Sequence, residues 1–166
     1  MKFLVIAVVC GFVMVATPSL AKQIGSFKGW SAHVEGKGMS RTCWIYSEPT
    51  KNEGKYKKRG RIYALVTHRP GKKVTKQVQF TAGYTFKKSS SVQLMIGERK
   101  FKMFTDVDTA WARTNKDDVA IVRAMRSGAR MIVNGVSSRG TKTKDTYSLS
   151  GISAAHNAIG RACKVK

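Results

Sequence analysis

The last stretch of the chain, residues 142–163, constrains the fold most, because it has the pattern of a strand followed by a helix that ends in a cysteine. Tyr147 and Leu149 alternate with polar residues, which is the period of a half-buried strand, and Gly151 then interrupts the pattern. Small and apolar residues follow at helical spacing: Ala155, Ile159, Ala162 and Cys163. This stripe predicts a short C-terminal helix that packs its cysteine against the rest of the protein.

The N-terminal residues 1–21 have the organisation of a secretory signal. Lys2 precedes an uncharged run from Phe3 to Thr17, and Ser19-Leu20-Ala21 supplies a cleavage pattern of small residues. The apolar run is about 15 residues long, whereas a membrane span needs roughly 20. We therefore expect a mature chain that begins at Lys22 and forms a single domain over residues 22–166. An uncleaved N-terminal anchor is the alternative.

Cys43 and Cys163 are the two cysteines that remain after cleavage, since Cys10 lies within the signal. Two cysteines in an exported protein favour a disulfide, which would tie the end of the domain to its beginning. Closing a loop of this length would stabilise the fold by about 5 kcal/mol in the chain-entropy model. Two buried free thiols are the alternative.

The charge of the chain is strongly positive. Lysine and arginine number 31 against nine acids, a formal net charge of +22, and removal of residues 1–21 takes away one base and leaves +21. Such a field attracts polyanions, and it opposes the compact state by self-repulsion. It points to anionic partners at the envelope or a host surface, namely lipopolysaccharide, acidic glycans or anionic membrane. Because export removes the protein from the cytoplasm, we expect no specific nucleic-acid partner.

Alternating apolar residues predict seven or eight short strands. The candidate segments are Phe27–Val34, Thr42–Ser47, Ile62–Val66, residues 78–82 and 92–96, Lys100–Phe104, Met131–Val136 and Thr141–Leu149. The run Ile62–Val66 is nearly all apolar, and we expect it to be buried on both faces. Gly97-Glu98-Arg99 and Arg139-Gly140 mark hairpin turns.

One helix interrupts these strands. Asn115 is the expected N-cap, Asp117 and Asp118 occupy the favourable first turn, and Gly128 ends the segment. Together with the C-terminal helix, this predicts a mainly β fold, an antiparallel sandwich or barrel with one internal and one C-terminal helix.

Sequence signatures of catalysis are scarce. No cysteine or histidine pair has zinc-ligand spacing, and no nucleophile elbow or phosphate-binding glycine loop is found. The best acidic pair is Asp106 and Asp108, which could act with one of the three histidines (His33, His68 and His156) in a periplasmic hydrolase or metalloprotein. We give more weight to a structural corner, in which the aspartates hydrogen-bond to their own backbone. We therefore expect no enzyme activity, no metal and no cofactor, with the hydrolase as the alternative.

Two basic clusters are more distinctive. Residues 51–61 carry six bases, one acid and one aromatic residue in a polar stretch, and residues 69–73 form a second group at the next turn. Arginine offers paired donors to phosphate or sulfate, and lysine a mobile point charge. The predicted anion-binding residues are Lys55, Lys57, Lys58, Arg59, Arg61, Arg69, Lys72 and Lys73. A solvated charged loop without a ligand is the alternative.

Five segments, in their order along the chain, resemble the bacterial invasion-associated locus B family. They are Cys43 with its hydrophobic strand, Val66-Thr-His-Arg-Pro70, residues 78–88, Phe104-Thr-Asp-Val-Asp-Thr-Ala-Trp-Ala112, and residues 145–155 leading to Cys163. The chain departs from the family pattern in its high basicity, and in Val107, where a small residue is usual between the two aspartates.

The resemblance implies an exported protein of the periplasm or outer cell surface, associated in some pathogens with the invasion of host cells. It implies no catalytic residues. Combined with the charge, it predicts a non-enzymatic envelope protein that binds anionic partners through its basic surface.

Overall fold

A computed structural model describes residues 21–165. The predicted signal over residues 1–21 therefore lies outside the described residues, except for Ala21. The described chain is a mainly antiparallel β structure with one internal and one C-terminal helix, as the sequence predicts.

Within residues 21–165, eleven strands form one continuous sheet, more than the seven or eight expected. The strands are β1 (Lys22–Phe27), β2 (Trp30–Glu35), β3 (Thr42–Ser47), β4 (Lys51–Gly54), β5 (Tyr63–Arg69), β6 (Val74–Thr81), β7 (Ser91–Ile96), β8 (Arg99–Asp106), β9 (Thr109–Trp111), β10 (Arg130–Val136) and β11 (Lys142–Ser148). Their order across the sheet is β1-β2-β3-β5-β6-β9-β8-β7-β10-β11-β4. Short 3₁₀ turns occupy Gly38–Ser40 and Pro70–Lys72.

Three of the strands were not expected. The segment Phe27–Val34 is not a single strand, because the chain turns at Lys28-Gly29 and pairs β1 with β2. Strand β4 adds to the edge of β11 within the predicted basic loop. Strand β9 pairs with both β6 and β8, and so joins the two halves of the sheet.

The sheet curls so that its two ends share one interior. The indole Nε1 of Trp30 in β2 donates to the carbonyl oxygen of Ser148 at the end of β11, at 2.9 Å. The rings of Phe80 in β6 and Tyr147 in β11 also meet, with centroids 6.0 Å apart. The inward side chains of both halves therefore build one core.

Both helices pack on the inner side of the sheet. Helix α1 (Asn115–Ser127) contacts β6, and helix α2 (Ile152–Cys163) contacts β2 and β3. The N-cap of α1 is Thr114, one residue before the predicted cap, and its Oγ1 accepts a hydrogen bond from the Asp117 backbone amide at 3.2 Å. In α2 the predicted stripe faces inward, with Ala155, Ile159 and Cys163 buried.

The disulfide joins Cys43 of β3 to Cys163 at the end of α2, with 6.0 Å between the two Cα atoms. It closes a separation of 120 residues and ties the last helix to the inner face of an early strand.

Strand β5 alternates its faces rather than being buried on both. Ala64, Val66 and His68 point into the core, while Tyr63 and Leu65 lie half-buried on the outer side. The prediction of a doubly buried strand was wrong because an apolar run does not reveal which face a helix covers.

Candidate functional site

The basic segment that follows β4 is fixed by one arginine. The Arg59 guanidinium donates two hydrogen bonds to the Asp145 carboxylate, from Nη1 to Oδ1 at 2.7 Å and from Nη2 to Oδ2 at 2.6 Å, and its Nε donates to the Ala82 carbonyl oxygen at 2.7 Å. The two side chains are only 3% and 5% exposed. Arg59 therefore holds the segment on the fold and is not the free cation that the sequence predicts. Asp145 is thus the structural partner of a base that lies 86 residues away in the chain.

Two tyrosines complete this anchor. The Arg59 guanidinium lies 5.4 Å from the ring centre of Tyr56 and 5.0 Å from that of Tyr84. Burial raises the pKa of Asp145, and the hydrogen bonds from Arg59 oppose that rise. Burial also raises the pKa of Tyr84, whose hydroxyl shares a hydrogen bond with Thr143 Oγ1 at 2.6 Å. A buried ion pair in which each guanidinium nitrogen donates a hydrogen bond gives the segment one defined position.

Beside this anchor lies a cleft of about 720 Å³, which we call the basic cleft. One wall is the segment from Lys55 to Gly60, and the other walls come from residues 83–85 and 137–141. The cations at the cleft are Lys55, Lys57, Lys58 and Arg139, with hydroxyl groups from Thr85, Ser138 and Thr141. None of the described residues that line it is acidic.

Backbone hydrogen bonds hold the walls together. The Gly60 amide donates to the Gly83 carbonyl oxygen at 2.8 Å, and the Ser138 amide donates to the Thr85 carbonyl oxygen at 2.7 Å. Gly83 has a φ of +69°, and a Cβ there would lie 2.5 Å from the Gly60 carbonyl oxygen. Glycine is thus required where the two segments meet.

Arg139 was expected only as part of a turn, but it lines the same cleft as the three lysines. The pairing of β10 with β11 carries that turn to the cleft. No local pattern signals this approach, because the lysine segment comes some 80 residues earlier in the chain.

The other predicted cations do not join the cleft. Arg61 is exposed on the outer side of the sheet, where its Nη2 donates to the Tyr46 hydroxyl at 3.0 Å. Arg69 donates to the side-chain oxygen of Gln77, and Lys72 and Lys73 follow in the next turn. Arg61 lies just before β5 and Arg69 is its last residue. The length of the strand, roughly 20 Å, therefore separates them. The two basic groups are therefore separate surfaces.

The structure does not bring the acidic pair to a histidine. Asp106 ends β8, and Asp108 follows in the turn, where its Oδ1 accepts from Thr109 Oγ1 at 2.9 Å and its backbone oxygen accepts from the Ala82 amide at 2.8 Å. His33 lies on β2 and stacks on Trp44, His68 lies inside on β5, and His156 lies on α2. Among residues 21–165, no group of three histidine, cysteine or acidic side chains could hold a metal ion.

Comparison with known families decides the relationship. The family model described as "Invasion associated locus B (IalB) protein" matches residues 30–160, which is most of the chain. The chain belongs to the invasion associated locus B family. No curated protein and no solved structure is similar enough to this chain to count as a match.

Membership in the invasion associated locus B family indicates the general class of protein to which the chain belongs. The family consists of exported bacterial proteins and is not a known enzyme family. Within the described part of the chain, no helix combines the length and the apolar character needed to cross a membrane.

Proposed function

We propose that this protein is a non-enzymatic binding protein of the bacterial envelope that holds anionic groups of its partners in the basic cleft. The groups are phosphates, sulfates or carboxylates, carried by lipopolysaccharide, acidic glycans or anionic membrane. The protein acts in the periplasm, at the outer cell surface or after secretion, and contributes to interactions of the envelope or to the invasion of host cells.

One observation carries this proposal: three lysines and Arg139 surround a cleft whose described lining contains no acid. Lys55, Lys57 and Lys58 are exposed, so that their side chains are accessible to a ligand. Like charges so close together repel one another, and an anion placed between them removes that repulsion.

The Arg59–Asp145 pair supports the proposal in a second way. It fixes the backbone from which the lysines extend, and a segment that is already ordered loses less conformational entropy when a ligand binds. The cleft is thus a rigid frame that carries mobile charges.

The same geometry argues against the hydrolase alternative. A general base must lie within hydrogen-bond reach of its substrate and be oriented by a partner. The Asp108 side chain accepts from its neighbour Thr109, and its backbone is used by the loop at Ala82, which is the arrangement of a structural corner.

The decisive experiment changes the lysines of the cleft together. A variant with Lys55→Gln, Lys57→Gln and Lys58→Gln is titrated with fluorescently labelled heparin at several salt concentrations. Each lysine close to an anionic polymer contributes about 1 kcal/mol, so we expect affinity to fall by more than about tenfold at low salt. The thermal midpoint should hardly change, because exposed charges contribute little to stability.

The matched control is a variant with Lys72→Gln, Lys73→Gln and Lys116→Gln, which loses the same charge from exposed positions away from the cleft. It should bind heparin nearly as well as the parent. Equal losses in the two variants would mean that only the net charge matters, and the cleft would then not be a site.

A further inference from the structure

The outer side of the sheet carries a second surface, separate from the basic cleft. Large side chains lie half-buried or exposed there, on strands β3, β5, β8 and β9. We call this surface the aromatic face, and its members are Trp44, Tyr46, Tyr63, Leu65, Phe104 and Trp111.

Strand register places most of these residues in one line across the sheet. Tyr46 is paired with Leu65, Leu65 with Gln79, Gln79 with Trp111, and Trp111 with Phe104. The line crosses four inter-strand spacings, which is about 19 Å. Trp44 lies two residues from Tyr46 on the same side of β3 and stacks on His33, with ring centroids 5.4 Å apart. The face is therefore long and continuous.

The helices leave this side of the sheet open. Both pack on the opposite side: the disulfide joins α2 to the inward Cys43, and Ile121 and Met125 of α1 are buried in the core with the inward side chains of the strands. Phe104 is 38% exposed. A row of aromatic residues on a wet sheet face indicates an interaction surface.

Polar groups run between the aromatic rings. Gln79 stands in the line between Leu65 and Trp111, and Thr67 and Gln77 form a register pair in the neighbouring row. Gln79 Nε2 donates to Thr81 Oγ1 at 3.5 Å. A dry protein partner would bury these amides without enough hydrogen-bond partners, at a cost in free energy. The occupant must therefore be rich in both donors and acceptors.

Basic side chains border the face. Arg61 lies over the Tyr46 ring, 6.0 Å from its centre, with its side chain 77% exposed. Arg69 reaches the face through its hydrogen bond to Gln77, and Lys102 stands two residues from Phe104 on the same side of β8. The nearby acids are Glu48, which lies 3.7 Å from Arg61, and Asp106 at the end of β8. The border is thus mainly positive, which suits an acidic occupant.

We propose that the aromatic face binds an acidic glycan chain. The C–H groups on one side of a sugar ring carry slight positive charge and pack against the negative face of an aromatic ring. The hydroxyl groups of the sugar donate to and accept from Gln77, Gln79 and Thr67, and its carboxylate or sulfate groups meet Arg61, Arg69 and Lys102. The inference goes beyond the proposed function, because it concerns another surface and stacking of sugar rings rather than charge alone.

Tryptophan fluorescence tests this directly. Of the three tryptophans, Trp30 is 1% exposed in the core, while Trp44 and Trp111 lie on the aromatic face. Short hyaluronan oligosaccharides should change the emission of the parent, and uncharged dextran oligosaccharides of similar length should bind more weakly. Trp111→Ala and Trp44→Ala should each weaken hyaluronan binding by about tenfold, as expected for an aromatic anchor.

Two controls separate this surface from the rest. Ile132→Ala removes a half-buried apolar side chain from the outer side of β10 and should leave binding within about twofold of the parent. The Lys55, Lys57 and Lys58 triple variant should keep the hyaluronan-induced change in tryptophan emission, because Trp44 and Trp111 report on the aromatic face and not on the basic cleft. If instead the triple variant loses binding while the tryptophan variants keep it, the basic cleft is the site and the aromatic face is not.

A variant that keeps the apolar packing guards against loss of folding. Gln79→Leu preserves the bulk of the face and removes only the amide, so weaker hyaluronan binding with an unchanged thermal midpoint supports the proposal. The proposal would be overturned if the parent did not bind hyaluronan, or if Gln79→Leu bound it more tightly. It would also be overturned if the tryptophan variants kept hyaluronan binding and lost only self-association or the binding of a single-stranded oligonucleotide.

Discussion

At the scale of single residues, His68 and His156 stand out because the core encloses them. They are 0% and 6% exposed, their ring centres are 5.3 Å apart, and the Nε2 atom of neither has a hydrogen-bond partner among the described residues. The Lys76 amide donates to His68 Nδ1 at 3.0 Å, which makes that nitrogen the acceptor of a neutral ring. Burial is the main cause that lowers the pKa of both histidines to about 4; His156 and Lys76 add to it at His68, and Arg126 and Lys76 add to it at His156.

We therefore expect stability to fall as the pH drops from about 6.5 to about 4. In that window the histidines are protonated in the unfolded chain but remain neutral in the folded one. Each histidine therefore lowers the free energy of unfolding by up to about 1.4 kcal/mol per pH unit. Asp118 acts in the opposite direction, because burial raises its pKa to about 6 and its folded form gains a proton more readily. His156→Gln should flatten the decline of the thermal midpoint relative to the parent. An identical pH profile for both proteins would contradict this account.

Residue identity alone did not reveal which charge lies inside. Arg59 sits among Lys55, Lys57, Lys58 and Arg61, and nothing in that run separates it from its neighbours. Its burial depends on Asp145, which only the pairing of β4 with β11 brings near. The three lysines of the cleft could be selected from local charge density, whereas the role of Arg59 and the position of Arg139 required tertiary structure.

At the scale of elements, the strands with a clear hydrophobic alternation could be predicted from the sequence, whereas those that form only through pairing with a distant strand could not. Strands β3, β7 and β10 lie where alternation places them, and α2 begins after Gly151 as expected. The short strand β4 is polar and exposed, and so has no hydrophobic alternation to detect. In the turn between β1 and β2, Lys28 rather than Gly29 takes a positive φ, of 54°, a conformation that favours glycine. The sequence therefore gave little sign of this turn.

Helix α2 is tied covalently to β3 by the disulfide between Cys43 and Cys163. It is only 12 residues long, and a short helix is stabilised mainly by what it packs on. Replacing Cys43 and Cys163 with serine should lower the free energy of unfolding by about 2–5 kcal/mol, because the unfolded chain regains the freedom of a long loop. Urea unfolding measures this, with the parent in reductant as the control. A serine variant as stable as the oxidised parent would show that packing alone holds the helix.

At the scale of the whole molecule, the formal charge of +22 has two consequences, and added salt should change them in opposite directions. The field draws acidic polymers to the surface, and it also strains the folded state, since the folded chain holds like charges close together. The buried Arg59–Asp145 pair and the disulfide stabilise the fold against this repulsion, and solvent ions weaken neither of them much.

We expect added sodium chloride to stabilise the protein and weaken its binding over the same range. Between about 0.01 M and 0.15 M the screening length falls from about 30 Å to about 8 Å, so repulsion across the surface fades. The thermal midpoint should rise by a few degrees, since about 1 kcal/mol corresponds to about 2–4 °C in a chain of this size. Heparin affinity should decline meanwhile. The Lys55, Lys57 and Lys58 triple variant should show a shallower decline in affinity and a similar rise in midpoint, because the cleft contributes much of the contact but little of the total repulsion. A midpoint that falls with salt would mean that favourable ion pairs, rather than repulsion, dominate the surface.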